Sequence, residues 1–338
     1  MKPFVAVALG VGVNCAWGLS FLAPRLLPQI DPVLITAGRF VTYGLLSMAV
    51  LLGASRGGFR RFRPKDWLWA LLFAFAGNVG YYLLVLMAVR LGGVTVPAVI
   101  IGTLPVTMAV YGGWSEGNLR VRRLALPLAL ILCGLVAMNL VRFVGATSAA
   151  EYHTLWITIA LSLVALASWT WYGVKNAEFV KAHPNIGETA WCSAVGTCTL
   201  MLSVALMPVL AAFGVWSPRA AVTGFADWRV VAAFVLASLV LGVVISWLST
   251  LLWNGVSRAL PVSVSGQLVV FETLSSVLYV NLLDKSVPPV LEWIGLTSVV
   301  FGVLLGLRRT LPGRCEAASA CPPAPAIDHP VPAPASSN

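Results

Sequence analysis

The chain has 338 residues, of which 59% are hydrophobic and 10% charged, with a net charge of +10 and a mean hydropathy of +0.89. A soluble domain carries roughly 45–50% apolar and about 25% charged residues, and soluble cores stop growing at about 250–300 residues. These figures exclude a soluble enzyme, a disordered hub and a disulfide scaffold, and they leave a polytopic membrane protein.

Each membrane span needs about 20 apolar residues. The runs that qualify are residues 3–23, 32–53, 66–89, 94–113, 123–141, 154–174, 188–213, 229–253, 262–283 and 290–307. Lipid offers no partner to backbone N–H and C=O groups, so the spans are expected to be helices. A β-barrel would alternate apolar and polar positions over about ten residues, whereas Leu68–Phe75 is continuously apolar.

In chain order, the first span carries Asn14, Trp17 and Phe21 on one helical face, and the second holds Arg39, about 10 Å below its outer end at ~1.5 Å per residue. The third presents Asn78, Tyr81 and Tyr82 together, and the fourth contains Pro97 and Pro105, candidate hinges because each removes a backbone hydrogen bond. In the sixth, Ser162, Trp169 and Tyr172 share a face, with Asn176 just past its end. The ninth aligns Ser265, Glu272, Ser276 and Tyr279. Residues at such spacings fall on one side of a helix, and lipid penalises polar stripes, so these faces are expected to point inward around a cavity. Plain interhelical hydrogen bonding is the competing explanation. Gly302 and Gly306 in the tenth span form a small-residue face, read as close packing within one bundle or as a dimer contact.

Charge sets the expected orientation. With the N-terminus inside, fifteen Lys and Arg fall on the inner side, from Lys2 through the Arg60–Lys65 and Arg120–Arg123 clusters to Arg314. Six fall outside (Arg25, Arg90, Arg142, Arg219, Arg229 and Lys285), and Arg39 lies within the second span. Both termini are therefore expected in the cytoplasm, and the positive charge reports topology and contact with anionic lipid rather than nucleic acid. Residues 308–338, rich in Pro, Ala and Ser, are expected to form a disordered cytoplasmic tail.

Sliding the chain on itself by 168 residues places Arg90 on Arg258, Val94 on Val262, Thr95 on Ser263, Tyr111 on Tyr279 and Glu116 on Asp284. Asn78, Tyr81 and Tyr82 fall on Ser246, Ser249 and Thr250, and Trp17 meets Trp169 when the offset shortens to 152. Five spans per half is an odd number, so a duplicated half is inserted upside down, as in many secondary transporters with a midplane site. The expected organisation is a first repeat at 1–141, an external linker at 142–153 and a second repeat at 154–307.

At these residues the sequence resembles a known family. Asn14-Cys15-Ala16-Trp17-Gly18-Leu19-Ser20-Phe21 is similar to the "WG-S-F" signature of the EamA family in the drug/metabolite transporter superfamily, and Arg39 fits that family's intramembrane arginine. The stretch from Ala88-Val89-Arg90 through Thr103-Leu104-Pro105 to Glu116 is similar to its "AL…P…E" pattern. The second copy departs: Glu272-Thr273 stands where the family often has Glu-Pro, and Asp284 replaces the usual downstream Glu. The resemblance covers about residues 4–307 and implies a multi-pass transporter of the bacterial inner membrane. It says little about substrate, since members export amino acids, other metabolites and toxic compounds.

Ionisable groups inside a membrane cost about 2.5–3.5 kcal/mol each by insertion scales and so usually face a cavity. Glu272 is a candidate to bind a substrate ammonium or to carry a coupling proton, and Arg39 to bind a carboxylate. Alternatively the two pair with each other or with backbone carbonyls. Gly113-Trp114-Ser115-Glu116-Gly117 matches a nucleophile elbow only formally, because it ends a membrane helix. There is no P-loop, and neither the six cysteines nor the three histidines have metal-ligand spacing.

The sequence thus reads as an all-α membrane protein with ten transmembrane helices in two inverted five-helix repeats. It is expected to be a non-enzymatic exporter of small amphiphilic metabolites such as apolar or aromatic amino acids, working by alternating access around a midplane cavity. Its expected partners are a small-molecule substrate, protons and the lipid bilayer, with no cofactor and no nucleic acid; oligomeric state is open. A flippase for a lipid-linked carrier and a non-transporting membrane scaffold are the alternatives.

Overall fold

A computed structural model of the chain describes residues 1–53, 58–93, 95–117, 125–134, 149–217, 227–285 and 290–310, with Ala137, Phe225 and Val287 between them. Among these residues there is no strand. The helices are α1 (Pro3–Leu26), α2 (Pro32–Gly53), α3 (Pro64–Gly92), α4 (Val96–Ser115), α5 (Ala125–Gly134), α6 (Ala149–Ala182), α7 (Glu188–Ala212), α8 (Trp228–Ala259), α9 (Val262–Leu283) and α10 (Val290–Thr310). Eight are long and apolar enough to cross a membrane; the apolar runs described in α5 and α10, Ala125–Gly134 and Trp293–Gly306, are shorter.

Local chemistry explains the boundaries. Proline opens α1, α2 and α3 at a position whose N–H has no intrahelical partner. Asp31 and Asp227 accept the N–H of Val33 at 2.8 Å and of Arg229 at 2.9 Å, which satisfies orphan donors at the starts of α2 and α8.

Three expected boundaries require correction. The sixth helix begins at Ala149, so its first turn occupies part of the expected 142–153 linker, and it runs to Ala182 rather than residue 174. The eighth continues to Ala259 rather than 253. Hydropathy falls at Lys175-Asn176 and at Asn254, but Asn176 and Asn254 bond each other in the interior at 2.8 Å, so the helices continue through them. The remainder of the linker and the tail from residue 311 lie outside the described residues.

The helices interlock between the two halves of the chain. α1 packs on α8 and α9, α2 on α7 and α8, α3 on α6 and α7, and α4 on α6 and α9. Small residues permit this closeness: a Cβ on Gly44 of α2 would lie 2.9 Å from Gly196 O of α7. The Gly302 face of α10 packs within the chain, where a Cβ would lie 2.8 Å from Pro127 O of α5, and Ser298 donates to Leu130 O at 2.9 Å.

Two helices contain π-helical turns, Phe75–Val79 in α3 and Val240–Leu248 in α8. A 168-residue offset carries the first onto 243–247, inside the second. Such turns often mark functional sites. In each, a crossing helix bonds a backbone carbonyl: Ser168 Oγ of α6 donates to Ala76 O at 2.9 Å, and Trp17 Nε1 of α1 donates to Ile245 O at 3.0 Å.

Candidate functional site

α4 and α9 are both interrupted near their centres. In α4 the break is Thr103, where Thr103 N bonds Ile100 O at 3.1 Å and Pro105 has no N–H to continue the ladder. In α9 it is Val269, whose N–H bonds Gly266 O at 3.2 Å in a tightened turn. The second half of α4 packs on the first half of α9. Their other halves diverge, with Pro97, Ala98 and Ile101 on one wall of a cavity and Val277, Val280 and Asn281 on the other.

The cavity encloses about 450 Å³, a volume suited to a small metabolite. Its lining reaches Pro24 and Arg25 at the end of α1, and its floor is formed by Trp17, Gly77, Trp169, Tyr172 and Thr250. Aromatic rings run continuously around it: Trp17 meets Trp169 edge-on at 6.2 Å, Trp169 meets Tyr172 at 5.8 Å and Tyr81 at 6.5 Å, and Tyr81 meets Tyr82 at 5.3 Å.

Besides Arg25, which pairs with Asp284, two charged side chains face this space. Arg39 is 9% exposed and held from behind, its Nε donating to Ser246 Oγ at 2.7 Å and an η nitrogen to the Tyr82 hydroxyl. Its guanidinium carbon also lies 5.0 Å from the Tyr82 ring centroid, a cation–π contact. Glu272 sits in the first turn of the second half of α9 and lines the same cavity. Among the described contacts its carboxylate has no hydrogen bond or ion pair, although it lies within electrostatic reach of Arg39. The site thus presents a carboxyl group and a fixed planar cation beside aromatic faces.

The opposite end is sealed. Below the floor, Phe73 packs on Tyr172, Trp171, Phe179 and Trp191. Trp191 Nε1 donates to Asn176 Oδ1 at 2.9 Å, and Asn176 donates in turn to Asn254. Beyond them, Lys181 pairs with Glu116 at 2.6 Å and Arg258 with Glu188 at 3.0 Å.

The model of the EamA-like transporter family matches residues 4–140. The chain is also 30% identical over 297 residues to the inner membrane protein YtfF of Escherichia coli (strain K12), an alignment covering 86% of this chain and 91% of that protein. The chain belongs to the EamA-like transporter family. A protein of known crystal structure shares the fold with a TM-score of 0.72 at 17% identity, over 91% of this chain and 98% of that one.

In this EamA-like protein the structure brings Trp17, Arg39, Asn78, Tyr81, Tyr82, Pro97, Pro105, Trp169, Tyr172, Glu272 and Ser276 to one cavity. Asn78 is tied to its wall, donating to Thr199 Oγ1 at 3.0 Å. Asn14 and Ser265 lie elsewhere. Asn14 is wholly buried and donates to Gly10 O at 2.7 Å. Ser265, 1% exposed, donates to Val262 O at 3.1 Å, and the break at Val269 separates it from Glu272 and Ser276, with which unbroken helical spacing aligns it. Arg39 and Glu272 form no ion pair with each other among the described contacts. Sequence spacing did not single out Ser246 as the anchor of Arg39 or Thr250 as part of the floor, although both appear in the 168-residue self-alignment.

Proposed function

We propose that this chain is a secondary transporter of the bacterial inner membrane, an exporter of small zwitterionic metabolites with apolar or aromatic side chains, amino acids first among them. The carrying observation is the cavity, which reaches the Arg25 end of the molecule and is closed toward the other, in which the Glu272 carboxylate, without an ion pair among the described contacts, and the anchored Arg39 guanidinium share an aromatic wall. Glu272 suits an ammonium or a coupling proton, Arg39 suits a carboxylate as a bidentate donor, and Trp17, Tyr81, Trp169 and Tyr172 suit an apolar side chain.

Alternating access around this site follows from two inverted repeats. That reading is supported by the packing, since exchanging the halves turns α1 on α9 into α6 on α4, α1 on α8 into α6 on α3, and α2 on α8 into α7 on α3. The matched π-helical turns and the paired breaks in α4 and α9 support it as well. With ten spans and both termini cytoplasmic, as the positive charges favour, the Arg25 end of the cavity faces outward.

The test is efflux of labelled tryptophan, then of a wider metabolite panel, from proteoliposomes of the purified chain with and without an imposed pH gradient. Saturable efflux that responds to the gradient is the expected result. Equal leak from protein-containing and empty vesicles would overturn it and favour the flippase or scaffold alternatives.

A further inference from the structure

The two ends of the molecule carry matching charges on corresponding helices. At the sealed end, Glu116 following α4 pairs with Lys181 of α6, and Glu188 opening α7 pairs with Arg258 of α8. At the other end, Asp284 following α9 pairs with Arg25 of α1, and Asp31 preceding α2 pairs with Arg90 of α3. Exchanging the halves maps each pair at one end onto a pair at the other.

Both ends keep their ion pairs, so these do not decide which end is shut. The difference is a second contact of Glu116. Its two carboxylate oxygens accept the first backbone N–H of α9, at Val262, from 3.1 and 3.0 Å. This contact crosses the junction between α4 and α9 and satisfies an orphan donor where the helix dipole favours an anion. The Asp284 carboxylate bonds Arg25 alone among the described contacts, and on its side α4 and α9 stand apart across the cavity.

We propose that Glu116 and Asp284 are alternating latches of the transport cycle, which makes the idea dependent on the transporter reading above. Glu116 caps α9 to seal one end. Asp284 caps the first turn of α4 when the other end closes. Lys181 and Arg25 are positioning residues that hold each carboxylate in place. The 168-residue offset carries Pro97, which lines the present cavity, onto Ser265, which is buried in the first half of α9, the half that packs on α4. Ser265 therefore lines the opposite cavity once Glu116 lets go.

The test uses the full chain in nanodiscs, where both faces are accessible, with Ser265→Cys or Ala98→Cys as reporter. Alkylation by a hydrophilic maleimide is followed at that residue by peptide mass spectrometry. Glu116→Ala is expected to raise the labelling rate at 265 about tenfold, equivalent to ~1.4 kcal/mol, and to lower the rate at 98. Glu116→Gln keeps an acceptor for the Val262 N–H and is expected to raise the 265 rate less. Lys181→Ala, which retains the capping carboxylate, is expected to give an intermediate rise and carries the test if Glu116→Ala fails to fold. An unchanged 265 rate in these variants overturns the latch, and so does Glu116→Gln matching Glu116→Ala, which would assign the effect to the ion pair. Failure of the transporter reading looks different: the two rates trade places while proteoliposomes show no efflux.

Discussion

Arg39 Nε donates to Ser246 Oγ at 2.7 Å, which ties the intramembrane arginine of α2 to the π-helical turn of α8. Ser246 is itself committed, donating to Leu241 O five residues earlier at 2.8 Å. The π-turn therefore aims a hydroxyl that a regular helix at this position would direct elsewhere. With Tyr82 on its other side, the guanidinium is held before a ligand arrives, which limits the ordering cost of binding.

Arg39→Lys keeps the charge and loses the fork. A lysine cannot donate to Ser246 and Tyr82 while also presenting two N–H groups to a carboxylate. We expect KM for carboxylate-bearing substrates to rise about tenfold or more, as charge-assisted bonds worth ~1.5–3 kcal/mol are lost. Substrate amides lacking the carboxylate should be affected far less. Initial rates in proteoliposomes across both substrate types check this; equal losses for acid and amide would remove Arg39 from carboxylate recognition.

Glu272→Gln separates the two roles open to that carboxylate. Efflux driven by a pH gradient is expected to vanish in the variant, because no other acidic side chain among the described residues lines the cavity. Substrate exchange at equal pH on both sides then assigns the role: retained exchange marks a proton carrier, and lost exchange marks an ammonium site. Wild-type efflux that is indifferent to collapse of the gradient would rule out proton coupling.

Much of this site was legible because spacing and cost point the same way. Tyr81 and Tyr82 lie one turn from Asn78, and charges such as Arg39 and Glu272 are expensive in lipid unless a cavity receives them. Asn14 lies outside the cavity because its amide turns back onto its own helix at Gly10 O, and Ser265 for a geometric reason. Periodicity assumes an unbroken ladder and one conformation, whereas α9 is interrupted at Val269 and the sealed half of α4 and α9 hides its own polar face. The π-helical turns left no trace in hydropathy, since Val240–Leu248 is as apolar as any regular span. The continuation of α6 and α8 past their apolar runs depends on the Asn176–Asn254 bond, a long-range pairing invisible to local patterns.

That bond makes Asn254→Ala a stability test. Removing the acceptor strands the Asn176 side-chain amide in the interior, where both residues are at most 2% exposed. An unsatisfied buried donor costs about 1–3 kcal/mol, so thermal unfolding in detergent should begin several degrees lower. Asn176→Ala leaves both the Trp191 Nε1–H and Asn254 Oδ1 without their partner and is expected to cost at least as much. Unfolding temperatures unchanged in both variants would show that the network contributes no net hydrogen-bond stability.

Gly77→Ala tests the cavity floor directly. A Cβ at this position in the α3 π-turn would lie 2.5 Å from Tyr172 Cδ1, so the tyrosine ring must move. Phe73 and Trp169 pack on that ring at 5.8 Å, closing two of its directions and leaving the cavity as the open one. Overpacking of this kind costs about 1–3 kcal/mol, and we expect both lower thermal stability and weaker binding of bulky substrates. Gly77→Ala with Tyr172→Ala should restore stability relative to the sum of the single changes, since the clash has one identified partner and neighbouring sites couple. Strict additivity in that cycle would mean that the glycine is required by the backbone of the π-turn rather than by the ring above it.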